Sequence, residues 1–140
     1  MIPRPISGAA RIIPALDSGD AARAQSLAET LAPHCGVLKV GLELFTSAGP
    51  GIVSAMARHR PVFLDLKLHD IPNTVASAVK SLKGRPCSLL TLHAAGGPEM
   101  IARAREAADV ALPGGDNIGD RKSTRLNSSH SGESRMPSSA

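Results

Sequence analysis

A chain of 140 residues with 42% apolar and 20% charged residues has room for one folded domain at most, and its profile is neither fibrous nor wholly disordered. Aromatic content is 1%, Phe45 and Phe63 with no Trp or Tyr, so a core must be built from Leu, Ile, Val, Ala and Met, and the stacking platforms of single-strand nucleic-acid binders are missing. No apolar run reaches the ~18 residues of a membrane span, and the opening MIPRPISGAARII lacks the apolar stretch of a secretory signal. The expectation is a cytoplasmic protein with no membrane and no nucleic-acid partner.

The net charge of +4 is unevenly spread: residues 1–119 and residues 120–140 each carry +2. The last 21 residues hold seven Ser and only three apolar residues, Leu126, Met136 and Ala140, too little apolar surface to offset the entropy of ordering. A disordered tail is expected there. Its sequence has a more specific reading: DRKSTRLNSSH, residues 120–130, matches the in-frame translation of a sequencing-library adapter, and SRMPSSA, residues 134–140, resembles the downstream adapter arm. Ser131, Gly132 and Glu133 stand where a barcode would lie, so residues 120–140 are read as non-native and set aside from the domain of residues 1–119.

In chain order, four short apolar runs read as buried strands: Ile12–Leu16, Val37–Val40, Val62–Leu66 and Leu89–Leu92. Each carries or ends on a polar group, namely Asp17, Lys39, Asp65 with Lys67, and His93. The steps between them, 22 residues from Asp17 to Lys39 and 26 from Lys39 to Asp65 and from Lys67 to His93, suit a strand, a helix and two short loops. After the first run, Ala24, Leu27, Ala28 and Leu31 recur at helical spacing, with Ser18 or Asp20 as N-cap. After the second, a short turn from Glu43 is broken by Gly49-Pro50-Gly51, which opens a helix with Ile52, Val53 and Met56 inward. Pro72 opens a third helix with Val75, Ala78, Val79 and Leu82 inward and Gly84 ending it, and Pro98 opens a fourth over Glu99 to Ala108.

This βαβαβαβα order predicts an α/β fold with a parallel sheet. A doubly wound sheet would place a Gly-rich phosphate cradle after its first strand, where this chain has Leu16-Asp17-Ser18-Gly19-Asp20. A (β/α)8 TIM-type barrel instead gathers polar side chains at the C-terminal ends of successive strands, which is the pattern of Asp17, Lys39, Asp65, Lys67 and His93. Since a whole barrel takes ~250 residues, four βα units amount to the N-terminal half of one.

The segment Asp65-Leu66-Lys67-Leu68-His69-Asp70-Ile71-Pro72-Asn73-Thr74 resembles the Asp-x-Lys-x-x-Asp-Ile-Pro-x-Thr signature of the orotidine 5'-phosphate decarboxylase family. Pro14-Ala15-Leu16-Asp17 is similar to that family's first strand, Leu38-Lys39-Val40-Gly41 to its second and Leu92-His93-Ala94-Ala95-Gly96-Gly97 to the end of its fourth, so the resemblance covers roughly residues 11–110. The later strands, which in the family recognise uracil and supply a phosphate-gripping Gly-Arg pair, have no counterpart in the 140 residues. The resemblance therefore implies conversion of orotidine 5'-phosphate to uridine 5'-phosphate by the family, with an inactive fragment as the expectation for the chain alone.

The resemblance also implies roles, and an extended strand end agrees in placing Asp65 and Lys67, two residues apart, on one side. Lys67 would stabilise the carbanion left by decarboxylation and protonate it. Asp65 would sit beside the departing carboxylate, either stressing it by like charge or holding the lysines in place. Lys39 would bond Asp65 and a ribose hydroxyl, Asp17 would accept from the ribose, and Asp70, Ile71 and Thr74 would serve the site of a partner subunit in a homodimer. No metal or organic cofactor is expected, because the Lys/Asp array supplies the charge. The other enzymatic reading is a metal-dependent sugar-phosphate decarboxylase or aldolase-like barrel of the same superfamily.

Each residue has a plainer reading when taken singly. Asp17 would cap the first helix, Lys39 would run its stem out to solvent, Asp65 and Lys67 would be an ordinary ion pair, and Asp70 and Thr74 would be helix-start residues. His93 is read as a satisfied strand-end histidine, and His69 as structural or exposed. These readings do not explain why the charges gather at one end of successive strands. Cys35 and Cys87 precede the second and fourth runs, at the opposite end, and are expected to be reduced thiols.

Overall fold

The computed structural model describes residues 7–112 and the backbone of residues 125–129. Its sheet is four-stranded and parallel, in the order β1 (Leu38–Gly41), β2 (Val62–Leu68), β3 (Leu89–His93) and β4 (Arg125–Ser129). Between β1 and β2 lie α2 (Leu42–Ala48) and α3 (Gly51–Ala57), between β2 and β3 lies α4 (Pro72–Lys80), and β3 is followed by α5 (Gly97–Ala111). A helix, α1 (Ala21–Leu31), precedes β1. Strand, helix and parallel strand thus alternate as the spacing predicts, and consecutive strands are neighbours.

Burial alternates along β1 and the first half of β2, as a strand's two-residue period requires. Leu38, Val40, Val62 and Leu64 are wholly buried, whereas Lys39, Gly41, Phe63 and Asp65 are half-buried on the opposite face. The buried face joins Leu90, Leu92, Val53, Met56, Val79, Met100, Ala104 and Ala108 in one core. Burying each such Leu, Val or Met side chain contributes roughly 1.5–3 kcal/mol, and the small Ala residues let α4 and α5 pack closely on each other. Polar chemistry is thereby confined to the second face and to the strand ends.

The run Ile12–Leu16 forms no full strand. It touches β1 through a single parallel bridge, Ala15 to Lys39, with Leu16 N–H donating to Lys39 O and Lys39 N–H to Pro14 O, each at 3.0 Å. Pro14 has no N–H to extend this ladder, and Ile12 and Ile13 are exposed. The segment is anchored further along by Gly36, whose N–H donates to Ile12 O at 3.0 Å and where a Cβ would collide with Ala10 O. No side chain larger than hydrogen fits there.

The helical stripes differ from expectation at two positions. On α1, Ala24 and Ala28 are buried but Leu27 is 37% exposed, and on α4 Ala76, not Ala78, is buried with Val75 and Val79. The buried stripe of α1 is thus narrower than the apolar pattern allows, and that of α4 is shifted, with Ala76 in the place of Ala78. The tail also departs from expectation in part: Arg125–Ser129 pairs in parallel with β3 from Leu89↔Arg125 to His93↔Ser129. An open strand edge presents unpaired N–H and C=O groups, and an extended backbone satisfies them whatever its composition. The remainder of residues 120–140 lies outside the described residues.

Among the described residues no helix is long and apolar enough to cross a membrane. Cys35 is buried and Cys87 half-buried, and both are free thiols as expected. Burial pushes the Cys87 thiol up to about 11 against the hydrogen bonds of Leu64 and Leu89, so it is protonated and inert at neutral pH.

The cap of α1 is Asp20, whose Oδ1 accepts from Ala22 N–H at 2.8 Å and Arg23 N–H at 3.3 Å. Asp17 takes no part in it. Asp20→Ala is therefore expected to lower stability by about 1 kcal/mol and Asp17→Ala to leave it nearly unchanged, read by urea unfolding of the two variants.

Candidate active site

Lys39 on β1 and Asp65 on β2 lie on the half-buried face, two residues out of register across the parallel pair, since Lys39 faces Phe63 and Gly41 faces Asp65. That offset lets the long lysine side chain reach along the sheet. Its Nζ stands 3.4 Å from Asp65 Oδ2, and Lys67 Nζ stands 2.8 Å from Asp65 Oδ1. One carboxylate therefore holds an ammonium group on each oxygen. Exposure grades across the three side chains, 11% for Asp65, 26% for Lys39 and 51% for Lys67, so the carboxylate forms the floor and the Lys67 ammonium the open end.

The convergence of Asp65 and Lys67 does not come from a plain extended strand. The β2–β3 register passes from Leu64↔Leu90 to Leu68↔Leu92, four residues on one strand against two on the other, and Lys67 has φ +50 within this bulge. A lysine in the left-handed region costs about 1–3 kcal/mol of backbone strain. The bulge is held by Thr91, which lies between the two paired leucines of β3. Lys67 N–H donates to Thr91 Oγ1 at 2.9 Å, and Thr91 Oγ1 donates to Asp65 Oδ1 at 2.8 Å. Thr91 is 2% exposed and is the buried polar residue among the described residues. Sequence reasoning passed over it as part of an apolar run; the signal available was a hydroxyl in the middle of Leu89-Leu90-Thr91-Leu92.

Burial raises the Asp65 carboxyl, but the hydrogen bonds from Lys67 and Thr91 and the charges of Lys67 and Lys39 outweigh it and hold the group below its ordinary value of 3.8. Asp65 is thus an anion at neutral pH, and Lys39 and Lys67 leave the cluster with one positive charge in excess. Such an array can stabilise negative charge developing beside Lys67 and can lend it a proton.

The remaining sequence-selected residues surround this cluster without joining its ion pairs. Asp17 is exposed at the end of the first extended segment, its Oδ1 3.5 Å from where a Cβ on Gly41 would stand. Asp70, Ile71 and Thr74 are all exposed, Ile71 by 66%, and Asp70 Oδ1 accepts the Ile71 N–H at 2.7 Å. Ile71 is the N-cap of α4 and Thr74 lies in its first turn, with no side-chain cap bond. His93 Nδ1 accepts from Ala95 N–H at 3.2 Å, which is the satisfied strand-end role, and its ring stacks on the exposed His69 at 4.6 Å and 11°. Among the described residues no group of three or more His, Cys, Asp or Glu is placed to hold a metal ion.

A folded carboxyl titrating below 3.8 stabilises the fold throughout the range above that value, and the contribution is lost as pH falls through the lower folded value. Lys39→Met with Lys67→Met is expected to move the Asp65 titration upward, since burial then acts without the cations. Carboxyl-carbon NMR of Asp65 against pH checks this.

Comparison with known proteins places the chain in a family. The family described as "Orotidine 5'-phosphate decarboxylase / HUMPS family" matches residues 10–114. An orotidine 5'-phosphate decarboxylase of Anaeromyxobacter sp. (strain K) is 56% identical over 99 residues, which is 70% of this chain and 44% of the relative. That of Thermobifida fusca (strain YX) is 52% identical over 102 residues, 71% of this chain and again 44% of the relative. The chain thus spans less than half the length of these curated relatives. Among solved structures, the orotidine 5'-phosphate decarboxylase of Lactobacillus acidophilus superposes with a TM-score of 0.68 at 36% identity, covering 76% of this chain and 49% of that one. The enzyme of Pyrococcus horikoshii OT3 superposes with a TM-score of 0.66 at 25% identity, covering 69% and 48%. Given the match over residues 10–114, the chain belongs to the orotidine 5'-phosphate decarboxylase / HUMPS family.

Proposed function

We propose that this chain supplies the Lys/Asp half of a decarboxylase site acting in the cytoplasm on orotidine 5'-phosphate to give uridine 5'-phosphate, within a homodimer. The observation that carries the reading is the single carboxylate of Asp65 held between the ammonium groups of Lys39 and Lys67. In the reaction the bond between the pyrimidine ring carbon and its carboxylate breaks, carbon dioxide leaves, and the electron pair stays on the ring carbon. Lys67, the exposed end of the array, stabilises that pair and then gives it a proton, and the resulting amine is reprotonated from water. Asp65 faces the departing carboxylate and orients both lysines. Lys39 also bonds a ribose hydroxyl, and Asp17, beside Gly41, accepts from the ribose.

Both Asp65 oxygens are occupied by protein cations, with the Thr91 hydroxyl also on Oδ1, which favours this charge array over the metal-held site of a sugar-phosphate enzyme. The exposure of Asp70, Ile71 and Thr74 supports their assignment to the partner subunit's site. The family's phosphate-gripping Gly-Arg pair and uracil-binding strands lie in the later part of the barrel. Remote phosphate contacts contribute to transition-state stabilisation, so the 140-residue chain alone should turn over poorly. Residues 120–140 are assigned to adapter-derived sequence, and resequencing of the source locus that reads unbroken through DRKSTRLNSSH would overturn that assignment.

The test joins residues 1–112 to the remaining barrel of the Anaeromyxobacter relative and measures carbon dioxide release from orotidine 5'-phosphate. The joined protein should be active and its Lys67→Ala variant nearly inactive, while the 140-residue chain stays close to its own Lys67→Ala control. Failure of a folded, dimeric joined protein to exceed that control would refute the reading.

The shared site has its own test in the same protein. Lys67→Ala and Asp70→Ala dimers should each be nearly inactive, and mixing them should restore one working site per mixed dimer, because intact Lys67 then meets intact Asp70 across the interface. Thermal unfolding of each variant separates this from a fold-only role for Asp70, which mixing does not cure. Stable variants that exchange subunits and regain no rate would leave Asp70 as a same-subunit residue.

A further inference from the structure

We propose that Thr91 is a positioning residue for the Asp65–Lys67 pair, its single hydroxyl fixing both the carboxylate and the backbone bulge from which the Lys67 side chain departs. The inference deepens the decarboxylase reading, which gives the pair its catalytic meaning, but it rests on geometry that needs no substrate. A backbone N–H only donates, so Thr91 Oγ1 must accept at Lys67, 2.9 Å away. The hydroxyl has one proton left to give, and it goes to Asp65 Oδ1 at 2.8 Å. An ionised carboxylate only accepts, so the direction of the whole chain, N–H to O–H to carboxylate, is forced. Bonds aligned in this way polarise one another, and each member holds the next in place.

The location explains why a side chain is needed for the task. Leu64 pairs with Leu90 and Leu68 with Leu92, so three residues of β2 stand opposite one residue of β3. That one residue is Thr91, and its side chain receives the N–H of the left-handed Lys67 in place of a backbone carbonyl. A β-branched side chain has few χ1 choices on a strand, so the hydroxyl is already aimed. At 2% exposure Thr91 is shielded from water, so losing the hydroxyl takes from Lys67 N–H its partner and from Asp65 Oδ1 one of its two donors. The hydroxyl also favours the charged form of Asp65. Thr91 touches no reacting atom; it acts through Asp65 and Lys67.

The test compares two variants of the full 140-residue chain. Thr91→Val keeps the volume and removes the hydroxyl, whereas Thr91→Ser keeps the hydroxyl and removes the methyl. In Thr91→Val the Asp65 titration should move up and the Lys67 amide should exchange with solvent about tenfold faster, and Thr91→Ser should restore both. A packing role predicts the opposite order: Thr91→Val behaves as the parent and Thr91→Ser lowers the unfolding temperature. That outcome overturns the proposal. Should Thr91→Val not fold, the parent chain is read directly: a slowly exchanging Thr91 hydroxyl proton with a cross-relaxation peak to the Lys67 amide supports the assignment, and a hydroxyl in fast exchange overturns it. None of these readouts depends on turnover, so their failure is distinct from failure of the decarboxylase reading.

Discussion

The carboxylate of Asp65 is the constraint on which the site depends. At 11% exposure it must be neutralised by something other than water, and it finds an ammonium group on each oxygen and a hydroxyl between strand and carboxylate. Three strands contribute: Lys39 comes from β1, Asp65 and Lys67 from β2, and Thr91 from β3. Removing any one partner would leave a half-buried charge with fewer contacts than its desolvation demands. The cluster is therefore as much a clamp across three parallel strands as it is a piece of chemistry, and its geometry cannot drift without the sheet drifting too.

Strand periodicity made most of this arrangement legible. Val37–Val40 and Val62–Leu66 read as strands, and a period of two puts Lys39 and Asp65 on the face opposite Leu38, Val40 and Leu64, where the structure places them. The bulge was hidden, because whether Lys67 continues an extended strand or enters the left-handed region is decided by the two-residue surplus against β3, a relation between strands. Thr91 was hidden for a related reason. Its role appears only when the segment 26 residues earlier in sequence is laid beside it. The exposed Leu27 and Ala78 show a similar limit: apolar spacing gives the positions a helix can bury, while the elements packed against it decide which of them are used.

Edges follow another logic. Ile12–Leu16 looked like a full strand and makes one bridge, while Arg125–Ser129, in a segment expected to lack order, makes five register pairs. Side-chain composition misleads in both cases, since ladder formation depends on backbone groups and on an available edge. Pro14 removes a donor from the first segment, and the open side of β3 offers a full row of donors and acceptors to the second.

The half-buried face also sets what the array can do. A closed barrel turns this face inward, and electrostatic stabilisation grows as water leaves, because the same charges act through a lower effective dielectric. Here Lys67 keeps half of its side chain in solvent, and Lys39 about a quarter. The distances among Lys39, Asp65, Lys67 and Thr91 are set locally, by register and bulge within three neighbouring strands, whereas the dielectric around them is set by whatever closes over the sheet. In the reading proposed above, positioning therefore resides in this part of the chain, and the strength of the charge stabilisation depends on the strands and the partner subunit that cover it. A positioned array left open to water keeps its orientation and loses much of its catalytic field.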